Sequence, residues 1–181
     1  EEAFMRDLDW VGTTKLRLSW GQAGNDRIGT AQFLSNMSTL NYPVGESQAL
    51  NSGYVVGNIA NNMLGWETTT SYNVGVDFGL FNNRIYLSAD YYKKTTKDLL
   101  LKAPVSLITG FANMMDNVGN VDNWGLEFEL NTANITTNTF RWNSSLNISL
   151  NRNKITSLGD DNSDIRSGQG NTIIQRVGNP I

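Results

Sequence analysis

The chain contains neither cysteine nor histidine among its 181 residues. The absence of cysteine excludes disulfides and thiolate metal sites. The absence of histidine removes the commonest general base and metal ligand, and with it Ser-His-Asp and Cys-His catalysis. There is also no run of about 18 apolar residues, which excludes a transmembrane helix, although the strands of a membrane barrel are too short and too alternating to be detected in this way.

Charged side chains are scarce as well. They make up 17% of the residues, and the net charge is −3. No basic surface therefore indicates a nucleic-acid partner. Polarity comes instead from amides and hydroxyls, with 24 asparagines in the chain. Asparagine suits turns and neutral hydrogen bonding, including hydrogen bonding to sugars.

Five segments alternate between apolar and polar residues with the period of two that is typical of a β-strand. Several of them exceed the ~5–6 residues of an ordinary strand and reach the ~9–11 residues that a tilted strand needs to cross a bilayer. The segments are residues 14–20, 66–81, 83–101, 123–131 and 140–153. Their apolar faces include Leu16, Leu18, Trp20, Tyr72, Val76, Ile85, Leu87, Tyr91, Trp124, Leu126, Leu146 and Ile148, and their polar faces include Arg17, Ser19, Asn73, Gly75, Asp77, Ser88, Asp90, Tyr92, Gly125, Glu127, Asn147 and Asn151.

The connections between these segments alternate between short and long. The short ones lie around 81–84, where Asn82-Asn83 suits a turn that needs positive φ, and at 132–139. Residues 21 to about 65, 102 to about 120, and 155 to the end form the long ones. Outer-membrane barrels show this asymmetry. The sequence predicts an all-β fold: an antiparallel up-and-down transmembrane β-barrel segment of about five strands, with long extracellular loops and short periplasmic turns.

Aromatic residues also concentrate towards the predicted strand ends. Those beside the long loops are Trp20, Trp66 and Trp124, and those near the short turns are Phe81, Phe140 and Trp142. Two aromatic bands are typical of the girdles at membrane interfaces. The alternative is that aromatic residues simply favour strands.

Four stretches of the sequence resemble the SusC/RagA family, the TonB-linked outer-membrane transporters of Bacteroidetes. They are "KLRLSWGQAGND" at 15–26, "GWETTTSYNVGVDFGLFNNRIYLSADYYKKTTKDLLL" at 65–101, "TGFANMMDNVGNVDNWGLEFELNT" at 109–132 and "FRWNSSLNISLNRNKITSLG" at 140–159. The closing "VGNPI" is also similar to a stretch found in this family.

The resemblance implies a barrel of about 22 strands with an N-terminal plug and a TonB box. It also implies a SusD-like lipoprotein over the extracellular mouth, contact with outer-membrane lipid, and energised uptake of oligosaccharides or, in the RagA branch, peptides. We recognise no plug, TonB box or C-terminal strand in residues 1–181. We therefore expect the chain to be a partial barrel domain from the later part of such a transporter.

Candidate catalytic and metal sites are weak. Glu127 and Glu129 share a strand face and could flank a glycosidic bond, but nothing nearby would raise the pKa of either carboxyl, so a solvated or lumenal face is favoured. Asp160, Asn162 and Asp164 occupy alternate positions of a calcium loop, yet Ile165 and Asn171 replace its required Gly and Glu. We expect no catalytic residue, no metal and no cofactor.

Ligand binding, where it occurs, is expected in the long loops. An aromatic ring can stack on a sugar, and a neighbouring amide can bond its hydroxyls. The candidates are Tyr42, Tyr54, Phe111 and Asn113, with Met114 and Met115 nearby. The alternative is that these side chains only pack the loops. Two other classes of protein also stay open at this point, a soluble β-sandwich that binds carbohydrate and an adhesin-type surface module.

Overall fold

A computed structural model describes residues 10–25, 33–46, 48–159, 161–167 and 172–181. Within these residues the chain forms nine β-strands and a 3₁₀ turn at Leu107–Thr109. The strands are β1 (Val11–Asn25), β2 (Met37–Val44), β3 (Ala49–Val56), β4 (Glu67–Leu80), β5 (Ile85–Pro104), β6 (Asn113–Thr136), β7 (Arg141–Leu158), β8 (Ile165–Ser167) and β9 (Ile173–Gln175). None of the helical structure in the described residues is long and apolar enough to cross a membrane.

The five long strands form one antiparallel sheet in the order β1-β4-β5-β6-β7. Strands β2 and β3 form a separate hairpin, as do β8 and β9. Sheet order follows chain order apart from the β2–β3 hairpin inserted after β1. The predicted up-and-down arrangement of five strands is therefore confirmed, and these five strands do not by themselves close a barrel.

The chain divides into two compact units. The first comprises Glu1–Ala23, Thr69–Thr95 and Asp122–Lys154, and the second comprises Gly24–Thr68, Thr96–Val121 and Ile155–Ile181. Both short turns belong to the first unit. The β2–β3 hairpin, the 3₁₀ turn and the β8–β9 hairpin belong to the second unit.

The β4–β5 turn confirms the conformation predicted for its asparagines. Asn82 and Asn83 have φ values of 54° and 61°, and Phe81 joins them at 53°. The backbone N–H of Arg84 donates to the carbonyl oxygen of Phe81 at 3.2 Å. Asparagine tolerates this left-handed region better than most residues, which is why the chain can reverse here.

Burial in the first unit is the reverse of that in a soluble protein. Large apolar side chains are exposed, including Leu16 at 62% and Leu18 at 69%, whereas Asp77 is only 7% exposed and Ser88 only 8%. Soluble proteins bury their aliphatic residues and seldom bury carboxylates without a partner. The apolar face of this sheet therefore has no protein layer over it among the described residues.

The second unit has a small hydrophobic core of its own. Val121, Ile155, Leu158 and Ile165 are buried, and Leu99, Leu101, Val118 and Val177 pack against them. Two backbone hydrogen bonds hold residues 178–179 against this core, Ile155 N to Asn179 O at 2.9 Å and Gly178 N to Ile155 O at 2.8 Å. A third joins Gly159 N to Val118 O at 2.6 Å.

All three predicted long loops contain more strand than expected, and the third, from residue 155 onward, includes the end of β7 and the β8–β9 hairpin. Residues 21–65 include the end of β1 and the whole β2–β3 hairpin, and the β5–β6 connection is only residues 105–112 instead of 102–120. Trp124 consequently lies inside β6 and not at its end, which corrects its predicted place at a strand–loop junction. Pairing between neighbouring strands satisfies backbone N–H and C=O groups even where the side chains are mostly amides. The strands therefore continue through segments whose sequence lacks apolar alternation.

Strand β5 also contains a kink at Asp98, whose φ is 59°. Asn120 accepts a hydrogen bond from the Asp98 backbone N–H at 3.2 Å, and the Asn117 amide donates to the Asp98 carbonyl oxygen at 2.7 Å. The Glu67 carboxylate accepts a bond from the Leu100 N–H at 2.9 Å. Side chains therefore satisfy the backbone N–H and C=O groups around Asp98. In a regular strand these groups would pair with the backbone of the neighbouring strand.

Candidate functional site

An ion-pair cluster occupies the polar face of β1, β4 and β5 in the first unit. The Arg17 Nη2 atom lies 2.9 Å from Asp77 Oδ1 and 2.8 Å from Asp90 Oδ2. It also donates to Ser88 Oγ at 3.0 Å, and Ser88 Oγ donates to Asp77 Oδ1 at 2.7 Å. These contacts join three neighbouring strands and confirm the polar faces predicted from the alternation.

Glycines on the same face leave room for large polar side chains from adjacent strands. A Cβ added at Gly75 would meet the Asp90 carboxylate and would lie 2.9 Å from Arg17 Nη2. A Cβ at Gly125 would lie 2.7 Å from the ring of Tyr92, whose hydroxyl donates to the Asn151 side chain. Close approach therefore requires glycine at both positions.

Glu127 and Glu129 line an open polar depression in the first unit. Its volume is ≈ 240 Å³, and its lining includes Ser88, Asp90, Asn147 and Ser149. The Asn131 amide donates to Glu129 Oε1 at 2.6 Å. Both glutamates are exposed and face an open depression, not an enclosed cleft. The depression offers hydrogen-bond acceptors, and within the described part of the chain no group of three His, Cys, Asp or Glu side chains could hold a metal ion.

The structure separates the two tyrosines among the predicted ligand-binding residues. Tyr42 in β2 is opposite Asn51, and Tyr54 in β3 is opposite Thr39, so the two rings lie on opposite faces of the hairpin. The Tyr42 ring covers Gly53, because a Cβ there would lie 2.7 Å from the ring. Tyr54 is 71% exposed. Tyr42 therefore packs within the hairpin, and Tyr54 is the more accessible of the two.

The structure brings the other candidates together. Phe111, Asn113, Met114 and Met115 line one open pocket in the second unit, with a volume of ≈ 400 Å³. The rest of its lining comprises Asn36, Ser38, Gly57, Asn58, Ile59, Lys102 and Ala112. The pocket thus combines an aromatic ring, two flexible thioethers, amides and one cation.

Asn58 fixes the rim of this pocket. Its Oδ1 accepts from the Asn36 backbone N–H at 2.7 Å, and its Nδ2 donates to the Leu34 carbonyl oxygen at 2.9 Å. Sequence reasoning did not identify Asn36, Asn58 or Lys102. The sequence signal that could have identified them was the turn around Gly45, whose φ in the structure is 74°. A β2–β3 hairpin predicted at this turn would have brought residues 36–38 close to residues 57–58.

The residues compared with a calcium loop have structural partners. Asn162 Oδ1 accepts from the Leu158 N–H at 2.9 Å, and the Arg176 Nε–H donates to Asp164 Oδ1 at 2.9 Å. The hydrogen bond from Arg176 lowers the pKa of the Asp164 carboxyl below its ordinary value, and the bond from the Ser163 backbone N–H does the same for the pKa of Asp161. Asp160 lies outside the described residues.

The sequence matches the protein family described as "TonB dependent receptor-like, beta-barrel" over residues 8–180. The chain belongs to this TonB-dependent receptor family. It is 37% identical over 180 residues to the TonB-dependent receptor SusC of Bacteroides thetaiotaomicron, an alignment that covers 96% of the chain and 18% of SusC. It is 38% identical over 163 residues to the TonB-dependent receptor P3 of Formosa agariphila, covering 89% of the chain and 16% of that protein.

Solved structures agree with this TonB-dependent receptor assignment. The structure titled "Structure of the RagAB peptide transporter" superimposes with a TM-score of 0.82 at 29% identity, covering 98% of the chain and 19% of the matched chain. The RagAB peptide importer in its open-open state gives a TM-score of 0.81 at 28% identity. The chain spans less than a fifth of these relatives.

The TonB-dependent receptor family confirms the predicted outer-membrane location and the resemblance to SusC and RagA. The exposed apolar face of the first unit is therefore a surface for lipid, because hydrocarbon accepts aliphatic side chains that water does not. The soluble β-sandwich and the adhesin-type module are excluded as fold classes by the same assignment.

Proposed function

We propose that the chain forms part of the barrel wall of an outer-membrane transporter that imports oligosaccharides or peptides. A SusD-like lipoprotein would cover its extracellular mouth, and TonB would supply energy. The observation that carries the proposal is the polarity of the first unit, in which Leu16 and Leu18 are exposed and the Arg17–Asp77 ion pair is part-buried. A membrane barrel with a polar interior requires this arrangement of faces.

The polar face suits passage of either kind of cargo. Its side chains are carboxylates, amides and hydroxyls, such as Asp90, Asn147 and Ser149 around the Glu127 depression. These groups exchange hydrogen bonds with sugar hydroxyls and with peptide amides alike. The titles of the RagAB structures name peptides as the cargo of that relative. The resemblance to the SusC/RagA family implies oligosaccharides or peptides.

The proposal includes no catalytic step. Glu127 and Glu129 are exposed and belong to a broad, open depression. General acid catalysis by a carboxyl requires burial or a neighbouring charge that holds the proton at neutral pH. We therefore expect cargo to leave the transporter chemically unchanged.

Uptake by cells tests the proposal directly. A strain that lacks the gene for the receptor, and a complemented strain, would be supplied with a pool of labelled oligosaccharides and labelled peptides. We expect deletion to abolish uptake of one class, and complementation to restore it. Depletion of TonB should abolish the same uptake. Unchanged uptake of both classes in the deletion strain would contradict the proposal.

The pocket around Phe111 is the proposed ligand contact of this chain. Its ring can stack on a sugar or a peptide side chain, with the amide of Asn113 beside it. Phe111→Ala in the intact receptor should weaken cargo binding by about two- to tenfold, since stacking of this kind contributes ~0.5–1.5 kcal/mol. Isothermal titration with the imported cargo would measure the change.

Ile108→Ala provides the matched control. Ile108 lies in the neighbouring 3₁₀ turn, is 97% exposed, and does not line the pocket. Its removal should leave cargo affinity unchanged. Equal affinities of the Phe111→Ala and wild-type proteins would remove this pocket from the binding site without affecting the proposal that the chain belongs to a transporter wall.

A further inference from the structure

The apolar face of the first unit contains several aromatic rings. Trp20 in β1, Tyr72 in β4, Tyr91 in β5 and Trp124 in β6 all alternate with residues of the polar face. The Asn73 side chain donates to Ser19 Oγ at 3.2 Å on the polar face, which places the neighbouring Trp20 and Tyr72 at the same level of the sheet. Tryptophan and tyrosine on a lipid-facing surface concentrate at the boundary between hydrocarbon and headgroups.

Cationic side chains lie beside these aromatic rings on the same face. Lys93 follows Tyr91 at the next outward position of β5, and Arg152 and Lys154 follow the outward-facing Leu150 on β7. The hydrogen bond from the Tyr92 hydroxyl to Asn151 shows that the odd positions of β7 are on the polar face here, so the two basic residues face outward.

Strand β6 brings these cations together. Lys93 Nζ lies 3.5 Å from Asp122 Oδ2, and Thr95 Oγ1 donates to the other oxygen of this carboxylate at 2.7 Å. A Cβ at Gly125 would lie 2.7 Å from the Leu150 carbonyl oxygen, so the two residues are neighbours on antiparallel strands. Asp122 lies three residues before Gly125 in β6. Because the strands are antiparallel, its neighbours in β7 lie three or four residues after Leu150, at Asn153 and Lys154. Lys154 therefore lies near the level of Asp122 on the neighbouring strand, and Arg152 is two residues before it on the same face of β7.

This patch, defined as Lys93, Arg152 and Lys154 with Asp122, has an excess of positive charge. Asp122 pairs with Lys93, whereas the ion pairs among the described residues do not include Arg152 or Lys154. A long basic side chain beside an apolar surface places its charge at headgroup level, where phosphate is the available counter-charge. A guanidinium and two ammonium groups can contact several phosphate oxygens at once.

We propose that the patch of Lys93, Arg152 and Lys154 binds the phosphate groups of a membrane lipid in the leaflet opposite the two short turns. In a barrel with short periplasmic turns this is the outer leaflet. The acyl chains of the lipid would lie along Tyr91 and Trp124, and its phosphates would contact the three cations. The site would thus hold a specific lipid at the outer surface of the transporter wall, away from the polar face.

Native mass spectrometry of the intact receptor tests this proposal. The purified protein would be incubated with lipid A carrying two phosphates, with the same lipid after enzymatic dephosphorylation, or with inorganic phosphate alone. We expect wild-type protein to retain only the phosphorylated lipid. The triple variant Lys93→Gln, Arg152→Gln, Lys154→Gln should retain it roughly tenfold less or weaker still.

Lys94→Gln is the matched control. Lys94 is adjacent to Lys93 but on the polar face, where its Nζ lies 5.5 Å from the centre of the Tyr92 ring. This variant removes the same charge from the same strand and should retain lipid as the wild type does. If the triple variant does not fold, Arg152→Gln and Lys154→Gln are measured singly, and each should lower retention.

Three results would overturn the proposal. They are equal retention by the triple and wild-type proteins, equal retention of the dephosphorylated lipid, and saturable binding of inorganic phosphate that competes with the lipid. The last result would assign the patch to a soluble anion. None of these outcomes affects the cargo-uptake experiment, because the patch lies on the face opposite the Glu127 depression.

Discussion

Gly75 shows how a single residue permits the ion-pair cluster of the first unit. The Asp90 carboxylate and the Arg17 guanidinium occupy the space that a side chain at position 75 would need. Glycine is unfavourable in a strand, because it has more backbone freedom to lose and no side chain to pack. The close approach of these charges explains its presence at this position.

Gly75→Val in the intact receptor should therefore destabilise the folded barrel. The added side chain would displace Asp90 or Arg17 and leave Asp77, which is 7% exposed, without its full set of partners. Overpacking of this kind costs about 1–3 kcal/mol. The temperature at which the barrel loses its compact electrophoretic mobility in detergent would report the change, with a lower temperature expected.

Gly21→Val is the control for this substitution. Gly21 also lies in a strand of the first unit, and nothing is within 4 Å of a Cβ built there. Valine should be neutral or slightly stabilising at this position, because it favours extended backbone. If both variants lost mobility at the same temperature, the spatial conflict at Gly75 would not be the cause.

Among the structural elements, the β8–β9 hairpin depends most clearly on one ion pair. Each strand has three residues, and the Asp164–Arg176 pair lies beside the first residue of β8 and the last of β9. Two short strands contribute few backbone bonds, so a charge-assisted pair at their end has a large relative effect. Ile165, the first residue of β8, is part of the core of the second unit.

The hairpin should open at acidic pH. The hydrogen bond from Arg176 lowers the pKa of Asp164 below its ordinary value of 3.8, so the folded state favours the charged carboxylate. The stabilisation is complete above that value and is lost as the pH falls through the lowered pKa. Hydrogen exchange of the β8–β9 amides, corrected for intrinsic rates, should show lower protection as the pH falls below about 4.

Asp164→Asn should show the same loss of protection at neutral pH. Asp161→Asn is the comparison, because Asp161 accepts a bond only from Ser163 within its own turn among the described contacts. Its protection factors in β8–β9 should match those of the wild type. Full protection of the Asp164→Asn variant would show that the ion pair does not hold the hairpin closed.

The long strands could be predicted from sequence, whereas the two hairpins could not. Apolar and polar residues alternate along β1, β4, β5 and β7 because one face meets lipid, and this pattern placed Arg17, Asp77 and Asp90 on polar faces, although the ion pairs among them were not predicted. The β2–β3 hairpin has exposed apolar residues on both faces, such as Leu40 and Tyr54, so it has no alternation to detect. The pocket at Phe111 depends on that hairpin and was missed in part for the same reason.

Over the whole molecule, the decisive physical property is which face of the sheet meets lipid. Val76 and Leu87 alternate with Asp77 and Ser88, so their side chains are on the apolar face. Arginine at either position would place a charge in hydrocarbon, which costs about 2–4 kcal/mol near the bilayer midplane. We expect Val76→Arg and Leu87→Arg to reduce the amount of folded receptor in the outer-membrane fraction.

Ser145→Arg places the same residue on the polar face of β7, where it should be tolerated because water solvates the guanidinium. Ser145 lies next to the outward-facing Leu146, so Leu146→Arg completes a pair that differs only in the face of the sheet. Fractionation followed by heat-modifiable electrophoresis would compare the four variants. Normal assembly of all four would mean that the apolar face does not meet hydrocarbon. Loss of the three outward variants alone would show that this face is covered by an apolar medium, and since Leu16 and Leu18 on the same face are exposed in the chain itself, that medium is lipid.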